Sequence, residues 1–211
     1  MSTTSRALEV QKSKRNGEPG MNKSRVEAIT DGIIAIAATI MVLELGIPAA
    51  SNWTGLLEIR HTFLAYVISF FMIYIVWSMH HDLFRKAERI SRRTFMVNGV
   101  WIFVLTLVPF TTAWVGSAPY AFLPEFLYAL NLLLWSAAFQ WLDYQIRQDN
   151  PGAERDSSTT FKSRLMMYGG YALCMVLSFV KPELSIYVIG ISTVVLFIWT
   201  FAGGKRDQKR E

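Results

Sequence analysis

The residues of this sequence that could do chemistry are an acid, two histidines and an amide set in apolar surroundings. Asp31 lies six residues inside the first apolar segment, His80 and His81 directly follow the second, and Asn98 lies near the start of the third. Insertion of an ionised Asp at the centre of a membrane helix costs about 2.5–3.5 kcal/mol. Such a residue is therefore expected to pair with another group, to line a water-filled cavity or to bind a passing ion. An imidazole and an amide can hydrogen-bond a carboxylate. The possible chemistry is therefore cation binding, proton transfer or a network that holds helices together.

A metal centre or an enzyme active site is not expected from these residues. His80, His81 and Asp82 are adjacent, and adjacent side chains on a helix converge poorly on one ion. The sequence has no HExxH motif, and Cys174 is its single cysteine. No nucleophile–base pair or glycine-rich phosphate loop is present either. We therefore expect no catalytic residue, no metal and no bound cofactor.

The elements that position these groups are apolar runs of membrane-spanning length, in a chain of 211 residues that is 52% hydrophobic. About 20 apolar residues span a bilayer core as a helix. The sequence therefore predicts an all-α integral membrane protein with six transmembrane helices and no internal repeat. The six runs are Val26–Leu45, Phe63–Met79, Phe95–Val115, Tyr120–Trp141, Leu165–Val180 and Leu184–Ala202.

The charge distribution predicts the orientation of these helices. All but two of the 21 Lys and Arg residues fall before the first run, after the second run, after the fourth run or after the sixth run. These four segments share one side of the membrane if the number of spans is even, and positive loops stay in the cytoplasm. We expect a multi-pass protein of the cell's inner membrane with both termini cytoplasmic. The net charge of +5 is then no sign of nucleic-acid binding, since basic and aromatic residues do not alternate outside the runs.

The composition predicts three parts along the chain. Residues 1–22 are polar and basic and indicate a flexible cytoplasmic tail, residues 23–203 form the six-helix membrane unit, and residues 204–211 form a basic cytoplasmic tail. Residues 153–160 read as a polar linker inside the membrane unit.

The first helix carries two sequence signals. Ser24 followed by Glu27 is a capping-box pattern, which predicts Ser24 as the N-cap. Four residues share a helical stripe at spacings of three and four, and Glu44 ends the helix at its outer side. The stripe could face lipid, another helix or a pore. Its members are Ile36, Thr39, Ile40 and Leu43.

Polar groups of the second and third helices are expected at the depth of Asp31. Topology places His80, His81 and Asn98 near the cytoplasmic ends of their helices, as it does Asp31. Because adjacent helical residues point in different directions, at most one of the two histidines faces inward. Pro109 predicts a kink in the third helix.

The segment RVEAITD at 25–31 resembles the R-x-x-x-F-S-D signature of the transmembrane protein 175 family of potassium channels. The resemblance continues in WSMHHDLF at 77–84, in Asn98 and in LVPF at 107–110, and it covers most of residues 21–112. The signature Phe is Ile29 here and the signature Ser is Thr30, which keeps the hydroxyl. No TVGYG-type filter occurs in the sequence, as this resemblance would predict.

The resemblance implies a homotetramer in which four copies of the first helix line a central pore for K⁺. It implies a constriction at Ile36, Ile40 and Leu43, a selectivity role for Thr39 and, by position, an outer vestibule at Glu44. The partners would be further copies of the chain, potassium ions and the lipid bilayer. The set that would anchor the first helix comprises Arg25, Thr30, Asp31, Trp77, His80, His81 and Asn98. The alternative function is a proton channel or a proton-coupled transporter that uses Asp31 and His80.

Overall fold

The computed structural model describes residues 22–152 and 161–207, and every regular element in these two ranges is helical. The side chains of residues 161–164, 166 and 201–207 are not described. The predicted tail up to residue 21, the linker 153–160 and residues 208–211 lie outside the described residues. The helices are α1 Lys23–Leu43, α2 Trp53–Glu58, α3 Arg60–Arg85, α4 Arg92–Leu105, α5 Val108–Ser117, α6 Phe122–Asp149, α7 Phe161–Val180 and α8 Ser185–Asp207, with a 3-10 turn at Pro182–Leu184.

Five helical stretches in the described ranges are long and apolar enough to cross a membrane. The fifth predicted run corresponds to α7, whose shorter apolar part is Met167–Val180. The prediction of an all-helical multi-pass membrane protein is therefore confirmed, while the count of six spans stays a prediction. The five stretches are Lys23–Leu43, Arg60–Arg85, Arg92–Ser117, Phe122–Asp149 and Pro182–Thr200.

The third span is broken in two close to Pro109, where the sequence predicted a kink. α4 ends at Leu105 and α5 begins at Val108, so Pro109 occupies the first turn of a new helix. A proline tolerates that position because the N–H groups of the first turn have no helical partner. The break therefore gives this span two short helices, α4 and α5, in place of one long rod.

The N-cap prediction for α1 is wrong. Asn22 caps the helix, and its side-chain oxygen accepts a hydrogen bond from the backbone N–H of Arg25 at 3.3 Å. Ser24 lies inside the first turn, so it has no capping role. Asn and Ser are both good N-caps, and the helix starts two residues before the one that the pattern favoured. The other end is as predicted, with Glu44 as the C-cap.

The helices pack around a core rich in large aromatic side chains. α3 contacts α1, α5 and α8, while α6 contacts α4, α5 and α7. Trp101 of α4 stacks on Trp135 of α6 with ring centroids 5.9 Å apart, and both rings are buried. Gly116 of α5 lets its helix approach α3 closely, since a Cβ there would lie 2.5 Å from the Cα of Thr62. This packing leaves one face of α1 uncovered.

Candidate functional site

A buried hydrogen-bond chain joins α1, α4 and α3 at the level that the sequence predicted. The hydroxyl of Thr30 donates to the carbonyl of Val26 at 2.8 Å, and Asn98 Nδ2 donates to the Thr30 oxygen at 2.9 Å. Asn98 Oδ1 and His80 Nε2 are 3.0 Å apart. Because this amide oxygen can only accept, His80 Nε2 carries the hydrogen. All three side chains are buried, and the hydrogen bonds between them link α1, α4 and α3.

The His80 ring is held between two aromatic rings. Phe84 stacks on one side with centroids 4.3 Å apart, and Trp101 stacks on the other at 4.6 Å and 11°. His80 is therefore fixed in position, whereas His81 is exposed. Sequence reasoning did not select Phe84 as a site residue, although its place four residues after His80 on the same helix face was a usable signal.

Asp31 has its own partner outside the buried chain. Trp77 of α3 donates its indole N–H to Asp31 Oδ1 at 2.9 Å. The Trp77 ring also contacts the His81 ring, with centroids 6.2 Å apart. Asp31 is exposed on the subunit surface, close enough to His80 for an electrostatic interaction. Two separate contacts, one buried and one exposed, thus join α1 to its neighbours.

Arg25 is not brought into this constellation. Its side chain is exposed, and it makes no side-chain hydrogen bond or ion pair with the rest of the described chain. A neighbouring residue, Lys23, provides a contact that the sequence did not reveal. Its Nζ donates to the carbonyl of Ala87 at 2.9 Å, in the loop after α3. The first turn of α1 is therefore tied to that loop.

The loop between α3 and α4 is itself held by the end of α6. Asn150 Oδ1 accepts from the backbone N–H groups of Glu88 and Arg89, both at 2.9 Å, and Asn150 Nδ2 donates to the Arg89 carbonyl at 3.0 Å. Asp149 Oδ2 accepts from the backbone N–H of Ser91 at 2.8 Å. No sequence signal could have found these contacts, because they join residues about 60 positions apart.

The stripe predicted on α1 is the face that the subunit leaves uncovered. Ile36 is 59% exposed, Ile40 40% and Leu43 78%. Thr39 is exposed as well, and its hydroxyl donates to the Ile36 carbonyl at 2.8 Å. The opposite face of α1 is buried against α3, α4 and α5. Its buried residues are Val26, Thr30, Ile34, Ala37 and Met41.

A groove of about 350 Å³ runs beside this stripe, between α1 and the broken third span. Pro109, Phe110 and Ala113 of α5 form one wall, and Ile36 and Ile40 belong to the other. Glu44 lies at the outer end of the groove and is exposed. No group of three or more His, Cys, Asp and Glu side chains able to hold a metal ion occurs in 22–152 or 161–207.

Several known proteins are similar to this chain in sequence. The sequence profile of the family described as endosomal/lysosomal potassium channel TMEM175 matches residues 25–109. A protein of Chryseobacterium sp. (strain P1-3), named a potassium channel, is 34% identical over 85% of this chain and 93% of its own length. One from Chamaesiphon minutus, also named a potassium channel, is 31% identical over 78% and 88%. Human TMEM175, named an endosomal/lysosomal proton channel, is 29% identical over 48% of this chain and 21% of its own length.

Solved structures give the same result. The crystal structure of a lysosomal potassium-selective channel TMEM175 homolog from Chamaesiphon minutus superposes with a TM-score of 0.64 at 27% identity, over 84% of this chain and 97% of that one. A variant of the potassium channel MtTMEM175, in complex with a nanobody-MBP fusion protein, has the same fold, with a TM-score of 0.56 at 16% identity over 90% and 95%. This family comprises ion channels and not enzymes. The chain belongs to the TMEM175 family of membrane ion channels.

Proposed function

We propose that this protein is one subunit of a potassium-selective channel in which four copies of α1 surround the path of the ion. The observation that carries the proposal is the uncovered apolar stripe of Ile36, Ile40 and Leu43, on a helix whose opposite face is buried. Bacterial relatives of similar length are named potassium channels, which supports K⁺ as the permeating ion. No bound cofactor is needed for this function.

The constriction is formed by rings of Ile36, Ile40 and Leu43. A narrow apolar ring holds water poorly and blocks ions when it dries, so it closes the path without a charged barrier. Opening then requires only that the ring widen or that its side chains turn away.

Thr39 is the selectivity residue, and its hydrogen bond suits that role. Since the hydroxyl proton is given to the Ile36 carbonyl, the oxygen lone pairs remain free to face a cation. A ring of such oxygens can replace part of the hydration shell of K⁺. Glu44, at the outer end of the stripe, forms an acidic vestibule that concentrates cations.

The predicted anchoring residues that have hydrogen bonds within the subunit hold α1 in place. Asn98 of α4 donates a hydrogen bond to Thr30 of α1, and Trp77 of α3 donates one to Asp31 of α1. The pore helix is thus fixed on two sides near its cytoplasmic end. His80 supports Asn98. His81 and Arg25 are exposed within the subunit, and their role in anchoring α1 would need a neighbouring subunit.

The topology follows the charges. Both termini are cytoplasmic, and the channel lies in the inner membrane of the cell. Residues 1–22 are a cytoplasmic tail, residues 23–203 form the channel subunit with six spans, and residues 204–211 are a basic tail.

The experiment is a flux assay with purified protein in liposomes, in which K⁺, Na⁺ and H⁺ are compared on one sample whose oligomeric mass is also measured. We expect a tetramer that passes K⁺ faster than Na⁺. Ile36→Ala should raise K⁺ flux several-fold because the ring becomes wider and better wetted. Val42→Ala is the matched control, since Val42 is 45% exposed on another face of α1. Equal flux from both variants would remove Ile36 from the constriction.

Proton conduction is the second candidate. Vertebrate relatives that match 114 residues of this chain are named proton channels, and Asp31 lies within electrostatic reach of His80. The same liposomes with a pH dye inside test it. Proton flux that disappears in Asp31→Asn, in a variant that still assembles and passes K⁺, would favour this function.

A further inference from the structure

Glu125 is a buried acid that neither the hydrogen-bond chain nor the candidate pore uses. It lies in the first turn of α6, at the end of that helix opposite Asn150. Its side chain is fully buried, and neither carboxyl oxygen has a hydrogen-bond partner among the residues of 22–152 and 161–207. A carboxyl group in this setting calls for a ligand that satisfies it.

The titratable groups that face Glu125 come from its own helix, from α7 and from the 3-10 turn. They are Tyr128 of α6, Cys174 of α7 and Glu183 of the turn Pro182–Leu184. Cys174 and Tyr128 are buried, and Cys174 Sγ lies 3.4 Å from the Ser185 carbonyl to which it donates. No Lys, Arg or His of the described chain interacts with Glu125, and Glu183 adds a second acid.

These surroundings select a proton as the ligand. An ionised carboxylate without a partner is among the most costly groups to bury, whereas protonation removes its charge. A metal ion would need several oxygen or nitrogen ligands, and the described chain holds no group of three metal-ligating side chains. We propose that Glu125 is a proton-binding site of each subunit, occupied at neutral pH, at the end of the bundle that the charge pattern places outside the cell.

The site adjoins a polar chain that reaches the broken third span. Tyr128, one turn after Glu125 on α6, has its hydroxyl 2.7 Å from Ser69 Oγ, and Thr112 donates to the same Ser69 oxygen at 2.8 Å. Thr112 belongs to α5, the helix whose Pro109 and Phe110 line the groove beside the α1 stripe. Loss of the proton would place a negative charge within electrostatic reach of Tyr128, the first member of this hydrogen-bond chain.

Infrared spectroscopy of the full chain in liposomes tests this proposal without any measurement of ion flux. At neutral pH the wild-type protein should show the C=O band of a protonated carboxyl group, and Glu125→Gln should lose it. Glu125→Met serves as a second variant, because it also removes the acid and suits apolar surroundings if the Gln variant does not fold. Glu183→Gln is the matched control, a neighbouring and partly exposed acid whose removal should leave the band in place.

Transfer to strongly alkaline buffer should replace the Glu125 band by that of a carboxylate, and return to neutral pH should restore it. A wild-type spectrum that differs from both Glu125 variants only in a carboxylate band at neutral pH would overturn the proposal. A protonated band that alkaline buffer never removes would show that the proton is not reversibly bound, and it would overturn the proposal equally. Because no outcome depends on ion flux, these results stand apart from the success or failure of the proposed channel.

Discussion

Trp77 of α3 donates its indole N–H to Asp31 of α1 across 2.9 Å, on the outside of the subunit. Asp31 is thus joined to an indole, while His80 and Asn98 form a separate buried hydrogen-bond chain with Thr30. Asp31 therefore has a structural partner within one subunit. This pairing separates the residues that hold α1 from the stripe that its outer face presents.

Trp77→Phe tests the Trp77–Asp31 bond. Phenylalanine keeps an aromatic ring but lacks the indole N–H and the second ring of tryptophan, and we expect the lost hydrogen bond to cost about 1 kcal/mol beyond the loss of ring area. The measurement is the thermal unfolding midpoint in detergent. Trp53→Phe is the control, because it makes the same substitution at a tryptophan that is 81% exposed. If the two variants have the same midpoint, the bond contributes nothing to stability.

Thr30→Val tests the buried hydrogen-bond chain of Thr30, Asn98 and His80. Valine has the shape of threonine without the oxygen, so Asn98 Nδ2 loses its acceptor in a buried place, at a cost of about 1–3 kcal/mol. Thr30→Ser is the matched control, since it keeps the hydroxyl and has the residue of the family signature. We expect a clear drop in unfolding midpoint for Val and a much smaller one for Ser. A larger loss with Ser would mean that the methyl group, not the hydrogen bond, matters at this position.

Asn150→Ala tests how the end of α6 holds the loop after α3. The backbone N–H groups of Glu88 and Arg89 lose their shared acceptor, so hydrogen–deuterium exchange should become faster at these two amides. Mass spectrometry of a peptide that covers residues 86–91 gives the rate. Gln148→Ala, an exposed position on the same helical turn, should leave the rate as it is. Unchanged exchange in both variants would contradict the role assigned to Asn150.

Thr39→Ala tests the proposed selectivity residue. Removal of the hydroxyl takes away the oxygen offered to a dehydrated cation, so the preference for K⁺ over Na⁺ in liposome flux should fall while total flux persists. Thr39→Ser keeps an oxygen that can still donate to the Ile36 carbonyl, and it should retain the preference. If Thr39→Ala keeps the preference for K⁺ over Na⁺, Thr39 is not the selectivity residue.

Much of the helical plan could be predicted from the sequence because it depends on local patterns. Apolar runs of the length of a bilayer predicted the five stretches that are long enough to span it, and Pro109 predicted a kink close to the break between α4 and α5. The spacing of Ile36, Ile40 and Leu43 predicted one stripe, and the structure leaves that stripe exposed. The N-cap was predicted wrongly, because Asn22 and Ser24 are both capping residues and the pattern alone does not say where the helix starts.

The sequence by itself determined the membrane helices, the charge asymmetry of their loops and the polar residues at the level of Asp31. Only the tertiary structure decided that His80 and not His81 faces inward, that Asp31 takes Trp77, and that Asn150 holds the loop after α3. The physical reason is the separation along the sequence of the residues that interact. Helix formation and apolar stripes reflect residues three or four positions apart, whereas these contacts join residues 18 to 62 positions apart and exist only once the helices have packed.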